Sequence, residues 1–386
     1  DLDAPFAGSS QPLRGRRMTK RPTNFQVSLS DLRHNVEVLR GLAPGSLFCA
    51  VLKADAYGHG AVTIAQTVLE AGADWLAVAL TDEAVELRAA GITAPLLILS
   101  EPAPDEMATV AGLAEVRPTV YTKAGIEAFA AVAPGAPVHL KIETGLHRVG
   151  VPADEAVAAA EHLQSCGLFL EGAFTHFAMA AEPESPLTQR QHQRFDTALE
   201  DLTTSGHRPQ LVHAANSAAT MAFPQTHYSL VRCGIALYGA DPSPELRPRM
   251  DELGLRPIGS LVSVVAHRHR IEPGETVSYG QRWQATETTE LATLPLGYAD
   301  GLMRSWGDAG QVLINGRRYP IRGAVTMDQT MVEVDQTVKV GDQVELLGRQ
   351  GNETITAGDM GDVLGTISYE LLAKLGRRLP IKYLDE

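Results

Sequence analysis

Between Thr23 and about Gly254 the chain repeats one pattern: a short apolar run, then a stretch with helical spacing. The runs are Leu47–Leu52, Trp75–Leu80, Leu96–Ser100, Arg117–Tyr121, Val138–Ile142, Phe169–Thr175, Gln210–His213 and Ser229–Cys233. Helical patterns such as Ile64-Val68-Leu69, Ala84-Leu87, Ala158-Leu163 and Phe195-Leu199-Leu202 lie between them. This alternation marks strands of a parallel sheet joined by crossover helices. Eight such units in roughly 230 residues predict a (β/α)8 TIM barrel, a fold of about 250 residues. An open doubly wound sheet competes, but no GxGxxG follows the first run. Phe25–Leu29 alternates as a strand ahead of the first unit. Ser30 reads as the N-cap of a helix carrying Leu32, Val36 and Leu39. This strand and helix (residues 23–40) are not among the eight barrel strands but are grouped with the barrel domain, residues 23–254.

After Gly254 the pattern changes. Leu261–Ala266, Thr289–Leu296, Gln311–Ile314, Met331–Val334 and Gln343–Leu347 are separated by Pro273-Gly274, Asn315-Gly316 and Gly341-Asp342. They predict a mainly-β domain over residues 255–386, with a hairpin at Asn315-Gly316 and a last helix near Ser368–Leu375. Residues 1–22 are expected to form a flexible leader. The 33 Lys and Arg against 46 Asp and Glu give a net charge of −13, and no basic cluster follows Arg14–Arg21. That balance excludes a nucleic-acid partner. Three cysteines without CxxC spacing argue against a disulfide framework or structural zinc. No apolar run has the length of a membrane span or signal core, so a cytoplasmic enzyme is expected.

TIM-barrel chemistry gathers just after the strands, and phosphate sites often follow strands seven and eight. Lys53 ends the first run and opens Lys53-Ala54-Asp55-Ala56-Tyr57-Gly58-His59-Gly60. A lysine there either snorkels or, partly desolvated, acts as a nucleophile for Schiff-base chemistry. The glycines after it let backbone approach a ligand. In the fifth run His139, Lys141 and Glu143 share one face, with Arg148 just beyond. They form either a buried structural ion pair or a charge network anchoring a ligand. His176 follows run six, in an aromatic setting that suits a core histidine as well as a catalyst. Asn216-Ser217 follows run seven, and Arg232-Cys233-Gly234-Ile235 ends run eight. A serine opening a helix beside a glycine supplies the hydroxyl and backbone donors of a phosphate cup. A strand-one lysine plus that cup describes a site for pyridoxal 5'-phosphate (PLP).

On these residues the chain resembles the alanine racemases, fold-type III PLP enzymes, over essentially all of Thr23 to Tyr383. Ala50–Gly60 is similar to the family's PLP-lysine signature. The segments around Lys141–Arg148, His176, Asn216–Ser217 and Arg232–Gly239 match in order. So do Leu294–Gly301, Thr326-Met327-Asp328-Gln329 and Gly365–Glu370 in the second domain. The resemblance implies that Lys53 holds PLP covalently and that Tyr57, Ser217, Gly234, Ile235 and Tyr369 hold its phosphate, with Asn216 beside them. Arg232 would face the pyridine nitrogen. Arg148 would hold the phenolic oxygen and the substrate carboxylate, next to a Lys141 that is carbamylated in many members. Tyr298 and Met327 would enter the site from the partner subunit of a homodimer, with His176 linking Tyr298 to Arg232. Lys53 and Tyr298 would be the two bases of racemisation, and the D-alanine would supply peptidoglycan.

Two positions depart from the family pattern. Ala324 follows Gly323 where many relatives carry arginine, and Thr326 stands where cysteine is common; both bear on the expected access channel. His267-Arg268-His269-Arg270 reads as a solvated strand face rather than a metal or anion site. A racemase of serine, lysine or arginine is the nearest alternative, and a PLP-dependent decarboxylase a more distant one.

Overall fold

The computed structural model describes residues 21–307, 309–376 and 378–385. Eight parallel strands run in the order Leu230–Cys233, Leu47–Val51, Trp75–Val78, Leu96–Ile98, Val116–Val120, Pro137–Glu143, Phe169–Phe174 and Leu211–His213. Each expected run supplies one of them. Phe48, Cys49, Ala50 and Val51 are all buried, as a strand covered on both faces requires. The ring closes between Leu211–His213 and Leu230–Cys233 without a full ladder. Ser229 N–H donates to the Val212 carbonyl at 3.1 Å, and Arg232 N–H to the Ala215 carbonyl at 2.9 Å. The Ser229 hydroxyl accepts the Val212 N–H at 2.7 Å.

Asn24–Ser28, grouped on sequence with the barrel domain, belongs instead to the sheet of the second domain. It pairs antiparallel with Gly259–Val264 and parallel with Ile381–Leu384. The barrel ring is complete without it, and Phe25 and Val27 are buried in the second sheet. The cap also moves. Ser28, not Ser30, accepts the Asp31 N–H on its Oγ at 3.2 Å, because the chain turns straight from strand into helix at Leu29. Of the expected leader, residues 1–20 lie outside the described residues. Arg21 is held: its guanidinium nitrogens donate to both carboxylate oxygens of buried Asp300 at 2.6 and 2.8 Å.

The second domain is β-rich. Its larger sheet runs Arg317–Pro320, Gln311–Ile314, Gln343–Gln350, Gly259–Val264, Asn24–Ser28 and Ile381–Leu384. His267–Ile271, Thr289–Leu294 and Thr330–Val334 form a three-stranded sheet. Asn315-Gly316 makes the expected two-residue hairpin, both residues with positive φ (52° and 73°) and Ile314 paired with Arg317. No residue of His267–Ile271 is buried, and Arg270 and Arg268 pair with Glu290. Among the described residues no helix is long and apolar enough to cross a membrane.

Candidate active site

At the carboxyl ends of the barrel strands lies a cavity of about 310 Å³. Lys53 enters it directly after the first barrel strand. Ala54, Asp55, Ala56 and Tyr57 all adopt left-handed backbone, with φ between 53° and 54°. Such conformations cost non-glycine residues roughly 1–2 kcal/mol each and concentrate at functional sites. Glu83 braces this turn. Its carboxylate accepts the N–H groups of Ala54 at 2.6 Å, Ala79 at 2.7 Å and Leu80 at 3.0 Å. Asp55 accepts the Ala61 N–H at 2.7 Å, tying the turn to the next helix. Desolvation, then the nearby Arg148 charge, lowers the Lys53 pKa, against a smaller opposing pull from Glu83.

One end of the cavity is built from hydroxyls and backbone donors. The Ser217 hydroxyl accepts the Gly234 N–H at 2.9 Å and the Ala236 N–H at 3.3 Å, so it closes on the turn after the eighth strand. Tyr57 lies over that turn; a Cβ on Gly234 would stand 2.6 Å from the Tyr57 phenol oxygen. Asn216 caps the helix Ser217–Ala222 by accepting the Ala219 N–H at 3.0 Å. Ile235 lines the same end, and Tyr369 reaches it from the second domain. Burial raises the pKa of both tyrosines, keeping their phenols protonated and able to donate.

The opposite wall is cationic. Lys141, Arg148 and Arg232 line the cavity with Lys53, and among the described residues no Asp or Glu does. Lys141 and Arg232 are each 3% exposed. Burial, reinforced by Arg232, lowers the Lys141 pKa to about 7, and burial lowers that of Arg232 to about 10. Both cations lie over the Phe174 ring, 5.0 and 5.2 Å from its centroid. Glu143 folds the loop carrying Arg148 by accepting the N–H groups of Gly145 and Leu146.

Arg232 is fixed by its own bonds. It donates to the Thr175 carbonyl at 2.8 Å, the Ala214 carbonyl at 3.1 Å and His176 Nδ1 at 3.3 Å. It also meets His213 Nδ1 at 2.8 Å. Guanidinium can only donate, so both histidines accept on Nδ1 and carry their protons on Nε2. His213 Nε2–H then donates to His139 Nδ1 at 2.9 Å, and His139 Nε2–H donates to Glu171 at 3.3 Å. Glu171 also accepts from Arg117 at 2.8 Å. A donor at one end and a carboxylate at the other fix both His139 and His213 as neutral tautomers. Burial lowers both pKa values in the same sense.

Tyr298 and Met327 stand apart from this cavity. They adjoin each other on the second domain, 41% and 52% exposed in the single chain. Tyr298 N–H donates to the Thr326 carbonyl at 3.0 Å, and Ala299 N–H to the Met327 carbonyl at 3.1 Å. Thr326 Oγ1 bonds the Gln329 carbonyl at 2.9 Å and accepts its N–H at 3.1 Å, shaping the turn that presents Met327. Ala324 accepts the Ser278 hydroxyl on its carbonyl at 2.7 Å.

Sequence reasoning did not assign Glu83, Glu171 or Gln191. Buried Gln191 joins two site loops: it accepts the Ala178 N–H at 2.8 Å and donates to the His176 carbonyl at 3.1 Å and Thr144 at 3.3 Å. Glu83 alone left a local signal, an acid in the first turn of a helix following a strand.

Two family models match the chain: "Alanine racemase, N-terminal domain" over residues 27–242 and "Alanine racemase, C-terminal domain" over residues 258–383. The chain is 42% identical to an alanine racemase of Carboxydothermus hydrogenoformans, over 94% of this chain and 100% of that one. It is 41% identical to that of Symbiobacterium thermophilum, over 95% and 98%. Among solved structures, alanine racemase from Bacillus anthracis with bound L-Ala-P superposes with a TM-score of 0.89 at 37% identity, covering 95% of this chain and 96% of that one. That of the D-cycloserine-producing Streptomyces lavendulae gives 0.88 at 34%, covering 95% and 98%.

Proposed function

The chain belongs to the alanine racemase family, and from that premise we propose that it interconverts L- and D-alanine with PLP, as a homodimer whose sites draw on both subunits. The observation carrying this reading is the cavity itself: a strand-end lysine, a cup of hydroxyls and backbone donors, and three further cations with no carboxylate among the described residues. That donor set fits a phosphorylated aldehyde together with an amino-acid carboxylate.

Tyr57, Ser217, Tyr369 and the Gly234–Ile235 backbone would hold the phosphate, with Asn216 fixing the helix behind them. Lys53 would anchor the cofactor. PLP, when bound, supplies a carbonyl carbon that takes the substrate amine and a conjugated ring that spreads the charge left at Cα. Arg148 would grip the substrate carboxylate and the phenolic oxygen. Arg232, a donor that stays protonated, would face the ring nitrogen without readily giving it a proton, which would favour reprotonation at Cα.

Inversion needs a proton taken from one face and returned on the other. Lys53 Nζ serves one face, its lowered pKa leaving more neutral amine near neutrality. Tyr298 of the partner subunit serves the other through its phenol oxygen, with Met327 of the partner subunit beside it. His176 would hold the hydrogen bond between that phenol and Arg232. A carbamate on Lys141 would replace a cation by an anion beside Arg148 and orient it. The nearly neutral pKa of Lys141 leaves the free amine such a reaction with carbon dioxide requires. The D-alanine formed in the cytoplasm would enter peptidoglycan synthesis.

Chiral analysis of L-alanine incubated with purified protein and PLP, beside L-serine, L-lysine and L-arginine, tests the reading. D-alanine forms fastest, and Lys53→Ala abolishes it. Faster inversion of another amino acid would assign the chain a different substrate.

A further inference from the structure

Tyr369 differs from the other cavity-lining side chains. The others come from the barrel, residues 51–235, whereas Tyr369 comes from the second domain. Its phenol can meet a ligand held by the barrel only if the joint between domains fixes the short helix Ser368–Ala373 that carries it.

That joint has a polar centre at Asp241, two residues beyond the turn that follows the eighth barrel strand. Asp241 Oδ1 accepts the hydroxyl of buried Ser368 at 2.6 Å. Its Oδ2 accepts Arg247 Nε at 2.6 Å. Arg247 then grips both carboxylate oxygens of Asp362 at 2.6 and 3.0 Å, reaching the helix Ala357–Leu364 just ahead of Ser368. A Cβ on Gly358 would stand 2.5 Å from Asp241 and 2.8 Å from Arg247, so the pair rests directly on the first turn of that helix. A Cβ on Gly58 would stand 2.5 Å from the Leu372 carbonyl, so the Lys53 loop abuts the Tyr369 helix on its other side.

Apolar packing does not do this work alone. A cavity of about 220 Å³ adjoins the strut, lined by His59, Tyr238, Asp241, Arg247 and Gly358 among others. Ile367, immediately before Ser368, is 57% exposed. The Asp241 carboxylate is 10% exposed and Ser368 3%. Their bond is a charge-assisted one shielded from water, the stronger kind, whereas the Arg247–Asp362 pair is more open and weaker. Asp241 also opposes ionisation of the Tyr369 phenol, after the larger effect of burial.

We propose that Asp241 is a positioning residue for the phosphate end of the site: through Ser368 it seats the Tyr369 phenol where the phosphate is held. This rests on the reading that Tyr369 meets the cofactor phosphate. Asp241 itself does not line the cavity of about 310 Å³.

Full-length protein stripped of cofactor and titrated with PLP, and separately with pyridoxal, which lacks the phosphate, tests the proposal. Asp241→Asn raises the PLP dissociation constant about tenfold, or about 1.4 kcal/mol. Its effect on pyridoxal stays within about twofold, because the strut acts only through the phosphate contact. In a Tyr369→Phe background Asp241→Asn adds nothing further. Ser368→Ala, which keeps the carboxylate and removes one donor, repeats the pattern at about threefold and serves if Asp241→Asn folds poorly. Equal weakening of PLP and pyridoxal, or full additivity with Tyr369→Phe, overturns the proposal. If Tyr369→Phe leaves the preference for PLP over pyridoxal unchanged, the phosphate reading of Tyr369 fails first, and the role given to Asp241 falls with it.

Discussion

In the barrel cavity, Arg232 is 3% exposed and its guanidinium is bonded to two carbonyls and two histidines. On the second domain, Tyr298 is 41% exposed and is anchored through its backbone. The first surface is preorganised within one chain: Arg232, His176, Ser217 and Asn216 all have hydrogen-bond partners there. The second presents a partly exposed phenol and thioether, and neither lines the barrel cavity. On the proposed reading, the fold of one chain builds the cofactor half of a site, and association with a second copy supplies the other half. Large exposed apolar side chains beside a functional motif fit that second role.

The comparison breaks most severely at Lys53. Lys53→Ala removes both the proposed anchor and one proposed base, and racemisation measured by chiral chromatography falls about 10⁴-fold. Tyr298→Phe keeps the fold, since the backbone holds that turn, but takes away the proposed second proton carrier. Turnover then falls about 10²–10³-fold, with PLP affinity and thermal midpoint unchanged. A loss of PLP affinity in that variant would place Tyr298 in the cofactor half. Glu83→Ala leaves three backbone N–H groups and the left-handed turn unsupported. It destabilises the protein by about 2 kcal/mol in urea unfolding.

Lys141 gives a smaller, pH-dependent effect. Its folded pKa of about 7 lies below its ordinary 10.5. Between those values the unfolded chain binds the extra proton, so this group's contribution to stability rises as pH rises through that window. The contribution is lost as pH falls toward 7. Lys141→Met flattens the slope of unfolding free energy against pH over that range in cofactor-free protein, and an unchanged slope would remove Lys141 as its source. Met327→Ala, at the exposed rim, changes KM only a few-fold.

Much of the barrel half was legible in the sequence. Lys53, Ser217, Arg232 and Gly234 fall at the ends of apolar runs, and barrel geometry converts strand ends into one site. The relay behind Arg232 was not legible: His139, Glu171 and His213 come from three strands, and their bonds depend on register. Asn24–Ser28 was misgrouped because a strand's alternation does not name its partner sheet. Ser28 displaced Ser30 as the cap because the strand runs directly into the helix. Asp241 and Gln191 act across long chain separations and carry no local pattern. Tyr298 and Met327 came from resemblance alone, since an exposed tyrosine in a β-rich segment has no local mark of chemistry.

In the proposed dimer, Lys53 of one subunit works with Tyr298 of the other. Mixing inactive Lys53→Ala and Tyr298→Phe proteins, allowing verified subunit exchange, and assaying alanine racemisation tests it most directly. A shared site predicts recovery to about a quarter of wild-type activity at equal mixing, because half the dimers then hold one intact site of two. Activity no greater than the average of the two inactive proteins would contradict it.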